Sequence, residues 1–283
     1  METIFDELIK RALDEDMPLG DITASALFDN ETCEAKVIAK EDGIVSGLVI
    51  FKRVFEIVDS NITVTLLISD GDSVDKGSIL ATIKGSALSI LKAERTALNF
   101  LQRMSGISTE TNRYVRAVKD TQCKILDTRK TVPNLRILDK LAVKHGGGVN
   151  HRFSLSDMAM LKDNHIAAAG SITKAVEKVR EVIGSATKIE VEVESIQALK
   201  EALNTSADWI MLDNMDNATM RECVRLTDGK KKLEASGNMT LDRVKSVAMT
   251  GVDYISVGAL THSVKALDIS LRFSLGGDSY DTK

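Results

Sequence analysis

Cysteine is scarce in this 283-residue chain: Cys33, Cys123 and Cys223 are odd in number and far apart. That excludes a disulfide framework and a zinc cluster and fits a reducing, cytoplasmic setting. Long apolar runs are missing, so no membrane span is expected. The N-terminus, METIFDELIKRALDEDM, is acidic and amphipathic, with no basic stretch leading into an apolar one, so no signal peptide is read. Positive charge is not in excess. Lys and Arg number 37 against 41 Asp and Glu, a net of −4, which argues against nucleic acid as the main partner. Catalytic signatures are absent too: no GxGxxG after a strand, no Walker A loop, no GxSxG elbow, no HExxH. WIMLDNMDNAT partly matches the phosphoribosyl-pyrophosphate loop of type I transferases but lacks its paired acids and Thr-Gly turn.

What is present is a local concentration of cations. Residues 127–165 hold Arg129, Lys130, Arg136, Lys140, Lys144, Arg152 and Lys162, with His145, His151 and His165. They lie beside turn residues, Pro133 and Gly146 to Gly148, and do not form one helical stripe. This pattern points to a concave site for a small, highly charged anion.

The length allows one to two domains with an ordinary core. A helix is expected over 3–15, with Ile4, Leu8 and Ala12 on one face. Strands at 33–40, 61–69 and 79–84 follow, with a helix at 47–58. SDGDSVDKGSILATIKG resembles the hairpin of lipoyl- or biotinyl-carrier folds, but no Lys sits at a tip flanked as those carriers need. It reads as a plain β-hairpin. A long helical pattern covers 86–119, and Gly106 is expected to kink or interrupt it. Strands then alternate with helices: strands at 124–127, 158–162, 188–193, 208–212, 232–235 and 253–257, helices at 171–183, 196–204, 216–227 and 240–249. This rhythm implies parallel pairing. The available length fits six or seven α/β units better than the eight of a full barrel, which takes about 250 residues. An open doubly wound sheet is the competing geometry.

Most strands end in functional side chains: Asp127 to Lys130, Lys162 to Asn164, Glu192 and Glu194, Asp213 and Asn214, Glu234 to Gly237. In parallel α/β folds the site lies at those ends. The ordered set ERTALNFLQRMSGIST, DTRKTVPNLR, KHGGGVNHRFSLSD, LKDNHI, EVEVES, IMLDN, EASGN and SVGALTHSV resembles the quinolinate phosphoribosyltransferase family from about residue 18 to 272. Two departures from the family pattern are visible, Asn134 after Pro133 and Asn238 where a second glycine is common; Asn tolerates the left-handed region.

The resemblance implies an N-terminal α/β sandwich followed by an incomplete, six- or seven-stranded α/β barrel. The expected limits are 1–110 for the sandwich with its linking helix, 111–267 for the barrel, and 268–283 packing back on the first domain. It implies a homodimer with shared sites, quinolinate and phosphoribosyl pyrophosphate as substrates, magnesium (Mg2+) as cofactor, and a role in making nicotinate mononucleotide. Arg129, His151, Arg152 and Lys162 would hold quinolinate, with Arg95 reaching it from the partner subunit. Lys130 and Lys162 would lie between the substrates and the pyrophosphate. Glu192 and Asp213 would contact ribose and hold the metal, leaving Glu190 and Glu194 to pair with lysines. Ser236, Gly237, Asn238, Gly258 and His262 would cradle the 5′-phosphate. Taken without the resemblance, Arg95 reads as a helix-surface ion pair, Arg129 with Lys130 as a solvated pair, and His151 as a satisfied loop histidine. Two rival functions are a non-catalytic anion-binding paralogue associated with molybdate transport, and a barrel lyase forming a Schiff base at Lys162.

Overall fold

A computed structural model describes residues 5–274 of the chain. They form two compact units, residues 5–109 with 264–274, and Glu110–Ser263.

The first unit opens with helices α1 (Asp6–Asp16) and α2 (Ile22–Leu27), then β1 (Thr32–Ala39), β2 (Gly43–Ile44), α3 (Leu48–Val58), β3 (Thr63–Leu66), β4 (Ser73–Val74) and β5 (Ile79–Ser86). Helix α4 (Ala87–Ala117) follows, and the final strand, β12 (Ile269–Ser274), belongs to this unit. Cys33, Ala35, Val37 and Ala39 point one way along β1 and are buried, the period-two signature of a strand with one face in the core. The antiparallel sheet runs β12-β1-β5-β3, with Val37 opposite both Leu271 and Ala81. Residues 275–283 lie outside the described residues.

Three expectations for this unit change. Helix α1 buries Ile9 and Leu13, not the Leu8 and Ala12 face, and Ile4 lies outside the described residues. The reason is an ion pair: Asp6, also on the buried face, binds Arg53 of α3 at 2.6 and 3.0 Å, which fixes the rotation of α1. The segment read as a plain hairpin is more than one, because β4 leaves the β3–β5 connection to pair with β2. Gly106 does not break α4, which runs unbroken through it. Its missing side chain makes room instead: a Cβ there would stand 2.2 Å from the Lys265 carbonyl oxygen. The adjoining Leu267 N–H donates to the Gln102 carbonyl at 3.0 Å.

The second unit contains β6 (Lys124–Leu126), α5 (Arg136–His145), β7 (Ala159–Leu161), α6 (Asp163–Ala169), α7 (Ile172–Ile183), β8 (Ile189–Val193) and α8 (Ile196–Leu203). It continues with β9 (Trp209–Asp213), α9 (Asn217–Thr227), β10 (Lys232–Ser236), α10 (Leu241–Ala248), β11 (Tyr254–Ser256) and α11 (Ala259–His262). All six strands are parallel, in the order β6-β11-β10-β9-β8-β7. From β7 to β11 each strand lies beside the next, and β6 closes onto β11. That cyclic order is a barrel's; a doubly wound sheet reverses direction at a switch point. A single parallel bridge from Val149 to Leu126 extends the other edge of β6, and the pairing stops short of β7, so the barrel is incomplete. Ser171, Ser195 and Asp216 cap the helices that follow the strands by accepting N–H bonds from Lys174, Ala198 and Thr219. Trp209 and Tyr254, at the starts of β9 and β11, stack at 4.6 Å and 9°. Among the described residues no helix is long and apolar enough to cross a membrane.

Gly106→Ala tests the packing within the first unit. In an open helix this change stabilises by about 1 kcal/mol. Against the Lys265 carbonyl it should destabilise by about 1–3 kcal/mol, read by urea unfolding. A more stable variant would contradict the close approach.

Candidate active site

Parallel pairing puts the C-terminal ends of β6 to β11 around one cavity of about 870 Å3. Arg129, Lys130, His151, Arg152, Lys162, Glu192, Asp213, Ser236, Gly237, Asn238, Gly258 and His262 all line it. Arg95 does not; it is exposed on α4 in the first unit.

The cations enter from the β6 and β7 side. Arg129 follows β6, and its Nε is buried with no hydrogen-bond partner. Arg152 donates from Nη1 to the Met158 carbonyl at 3.1 Å and from Nη2 to Met160 Sδ at 3.4 Å. Burial, then the charge of Arg129, holds its guanidinium below the usual value. Two guanidinium groups that repel each other in one cavity are an arrangement that wants an anion between them. Lys130 is held by its backbone: its N–H donates to Thr128 Oγ1 at 3.0 Å and its carbonyl accepts from Thr261 Oγ1 at 2.9 Å. Gly258 leaves space for it, since a Cβ there would lie 3.1 Å from Lys130 Cδ.

The acids enter from β8 and β9. Lys162, the N-cap residue of α6, pairs with Glu192. Asp213 ends β9, and its Oδ2 accepts from Asn214 Nδ2 at 2.7 Å. Asn214 sits at φ 51° and Gly237 at φ 94°, and a Cβ on Gly237 would stand 2.1 Å from Asn214 Oδ1. The turn after β10 therefore needs Gly237 if Asn214 is to reach Asp213. Asn238 is left-handed at φ 48° and Asn134 at φ 65°, so both asparagines occupy backbone positions that favour glycine. Arg243 ties the same turn down, donating to the Gly237 carbonyl at 3.0 Å and the Met215 carbonyl at 2.8 Å.

Below this rim lies a buried cluster that sequence reasoning misread. Glu190 meets His151 and no lysine, and Glu194 falls beyond the end of β8, exposed. His151 Nε2 stands 3.0 Å from Glu190 and 3.1 Å from Glu234, without hydrogen-bond angles to either. Its Nδ1 accepts the Arg152 N–H at 2.7 Å. Burial lowers the imidazole's pKa and the two carboxylates more than offset this, pushing it up to about 10, but a second proton would sit on Nδ1, facing that N–H. The hydrogen bond is the directional constraint and favours the neutral Nε2–H form. The same bond argues against a metal on Nε2, because a metal-bound imidazole carries its proton on Nδ1 and donates it. Nδ1 is engaged by Arg152, while Nε2 faces the two carboxylates and the ring lines the cavity. Burial, then repulsion by Glu234, pushes the Glu190 carboxyl up to about 7. Glu234, two residues before Ser236 on the inward face of β10, is one of the strand-end side chains singled out from the sequence, where it was given no partner.

Comparison with known proteins fits this geometry. The family model described as quinolinate phosphoribosyl transferase, C-terminal domain, matches residues 107–272, and its N-terminal counterpart matches 21–105. The chain belongs to the quinolinate phosphoribosyltransferase family. A probable nicotinate-nucleotide pyrophosphorylase [carboxylating] of Bacillus subtilis is 47% identical, covering 94% of this chain and 92% of its own. The NadC structure from Streptococcus pyogenes superposes with a TM-score of 0.93 at 43% identity over 96% of each chain. A human nicotinic acid phosphoribosyltransferase shares the fold, with a TM-score of 0.62 at 12% identity over 92% of this chain and 75% of its own.

The turn after β10 gives a direct test. Asn238→Gly should leave the unfolding midpoint almost unchanged, whereas Asn238→Val should cost about 1–2 kcal/mol for its left-handed backbone. Equal midpoints for the valine variant and the parent would show that residue 238 is not held left-handed in solution.

Proposed function

We propose that the protein transfers the phosphoribosyl group of phosphoribosyl pyrophosphate to quinolinate and releases pyrophosphate and carbon dioxide, leaving nicotinate mononucleotide. The observation that carries this reading is that Arg129 and Arg152 line one cavity together, with Arg129 Nε buried and without a partner. A pyridine with two carboxylates answers both guanidinium groups, in the planar bidentate geometry that suits them. Lys130 and Lys162 face the leaving pyrophosphate. The turn Ser236–Gly237–Asn238, with Gly258 and His262, receives the 5′-phosphate.

Glu192 and Asp213 suit a hard cation, since both line the cavity and offer only carboxylate oxygens. When bound there, Mg2+ supplies positive charge for the pyrophosphate. The remaining work is positioning and electrostatics. The pyridine nitrogen attacks ribose C1 as the C1–oxygen bond to pyrophosphate breaks. When the adjacent carboxylate departs as carbon dioxide, its bonding pair stays on the ring carbon, where the neighbouring positive nitrogen stabilises it, and a proton then bonds to that carbon. A Schiff base at Lys162 is disfavoured, because its amine is taken up by Glu192.

We further propose that the enzyme works in the cytosol as a homodimer and that Arg95, exposed on α4, serves the partner's site.

Two experiments test this. Purified protein with quinolinate, phosphoribosyl pyrophosphate and magnesium should release carbon dioxide only when both substrates are present. Nicotinate, lacking one carboxylate, should be used about 10^4-fold less efficiently in kcat/KM; comparable turnover would refute the reading of the paired arginines. For the shared site, Arg95→Ala and Arg129→Ala should each be nearly inactive alone. Heterodimers of the two, verified by native mass spectrometry, should regain up to about half the normal activity, since one of two equivalent sites is whole. Inactive heterodimers would confine Arg95 to its own chain.

A further inference from the structure

Residues 150–157 form neither helix nor strand, yet they carry Arg152 into the cavity. No regular ladder of backbone hydrogen bonds fixes this stretch. Side chains do so instead: Asp157 accepts the N–H groups of Phe153 and Ser154 and Arg136 donates to the Phe153 carbonyl, while His151, next to Arg152, is held by two side chains outside the cavity. Asp127, at the end of β6, is fully buried, and Lys140, on α5, is 3% exposed. Lys140 Nζ donates to Asp127 Oδ1 at 2.5 Å and to the His151 carbonyl at 3.0 Å. Asp127 Oδ1 also accepts the His151 N–H at 2.8 Å, and Oδ2 accepts from Asn150 Nδ2 at 2.6 Å. Asn150 Nδ2 reaches the Lys140 carbonyl at 2.8 Å, closing the network. Both backbone groups of His151 are thus held by one ion pair.

We propose that the Asp127–Lys140 ion pair is a positioning device for the acceptor: it clamps the backbone at His151 so that Arg152 is presented to a carboxylate of the substrate. This rests on the acceptor assignment made above. Neither residue lines the cavity, so neither touches substrate. As a source of stability the pair is poor. Burial pushes the Asp127 carboxyl up and the Lys140 ammonium down, each partly opposed by the other. A buried ion pair commonly gains nothing over an apolar pair of similar volume. What it supplies is direction. The clamp sits one residue from Arg152, whose own N–H is spent on His151 Nδ1, so a shift at His151 is passed on to the guanidinium. Misplacing a substrate-binding group by about 1 Å can cost about 10^2-fold in rate.

The test uses the full-length enzyme and a double variant, Asp127→Leu with Lys140→Met, which removes both charges at similar volume. KM for quinolinate should rise by about 10^2-fold, while KM for phosphoribosyl pyrophosphate stays near the parent's. A folded double variant with the parent's quinolinate KM overturns the proposal, as does an equal rise in both KM values. If the double variant does not fold, Asn150→Ala removes two bonds of the network without unpairing the charges. It should raise the quinolinate KM alone, and an unchanged value overturns the clamp. A parent enzyme that releases no carbon dioxide would defeat the acceptor assignment, not the clamp. Amide hydrogen exchange across residues 150–153 then decides: faster in the variants if the clamp exists, and unchanged if it does not.

Discussion

Parallel pairing sends the C-terminal ends of six strands to one rim, and any charge placed there shares one enclosed space. Charge in such a space has to be answered by charge. The second unit divides the task by strand. Segments after β6 and β7 bring Arg129, Lys130, Arg152 and Lys162, and β8 and β9 bring Glu192 and Asp213. Lys162 and Glu192 meet where the halves join. Beneath the rim, Asp127 answers Lys140, and His151 stands between Glu190 and Glu234. Under the proposed function, substrates that are themselves polyanions would complete the balance at the rim.

The alternation of barrel strands and helices was legible in the sequence because each strand is a short segment with polar residues at its end, and the helices after β8 and β9 open on capping side chains, Ser195 and Asp216. Ile189, Val191 and Val193 carry β8 into the helical core, while Glu190 and Glu192 on the opposite face could be assigned inward by period alone. The strand-end residues could be gathered into one site for the same reason: parallel topology makes neighbours of residues far apart in the chain. What the pattern could not supply was partner identity. Glu190 was expected to find a lysine, and the group it meets is instead an imidazole delivered by an irregular loop.

Other elements were hidden for specific physical reasons. Helix α6 has no buried residues, so it shows no apolar period, and α5 is marked more by its cations than by Leu138, Ala142 and Val143. Strands β2 and β4 are two residues each and exist only as a long-range pair. Gly106 looked like a break in α4 because a helical glycine is unfavourable on its own; the carbonyl that needs the space comes from Lys265, far along the chain. The role proposed for Arg95 depends on a second copy of the chain, and nothing in its own unit bears on it.

The central claim is that the cavity holds two separable halves, a cationic one for the acceptor and an acidic one for the ribose and its metal. Isothermal titration of Arg152→Ala and Asp213→Ala measures it most directly, with quinolinate and the magnesium complex of phosphoribosyl pyrophosphate titrated in turn, each also with the other ligand or its inert analogue present. Arg152→Ala should lose quinolinate binding and keep the phosphoribosyl ligand, and Asp213→Ala should do the reverse. Equal loss of both ligands in either variant would contradict the division.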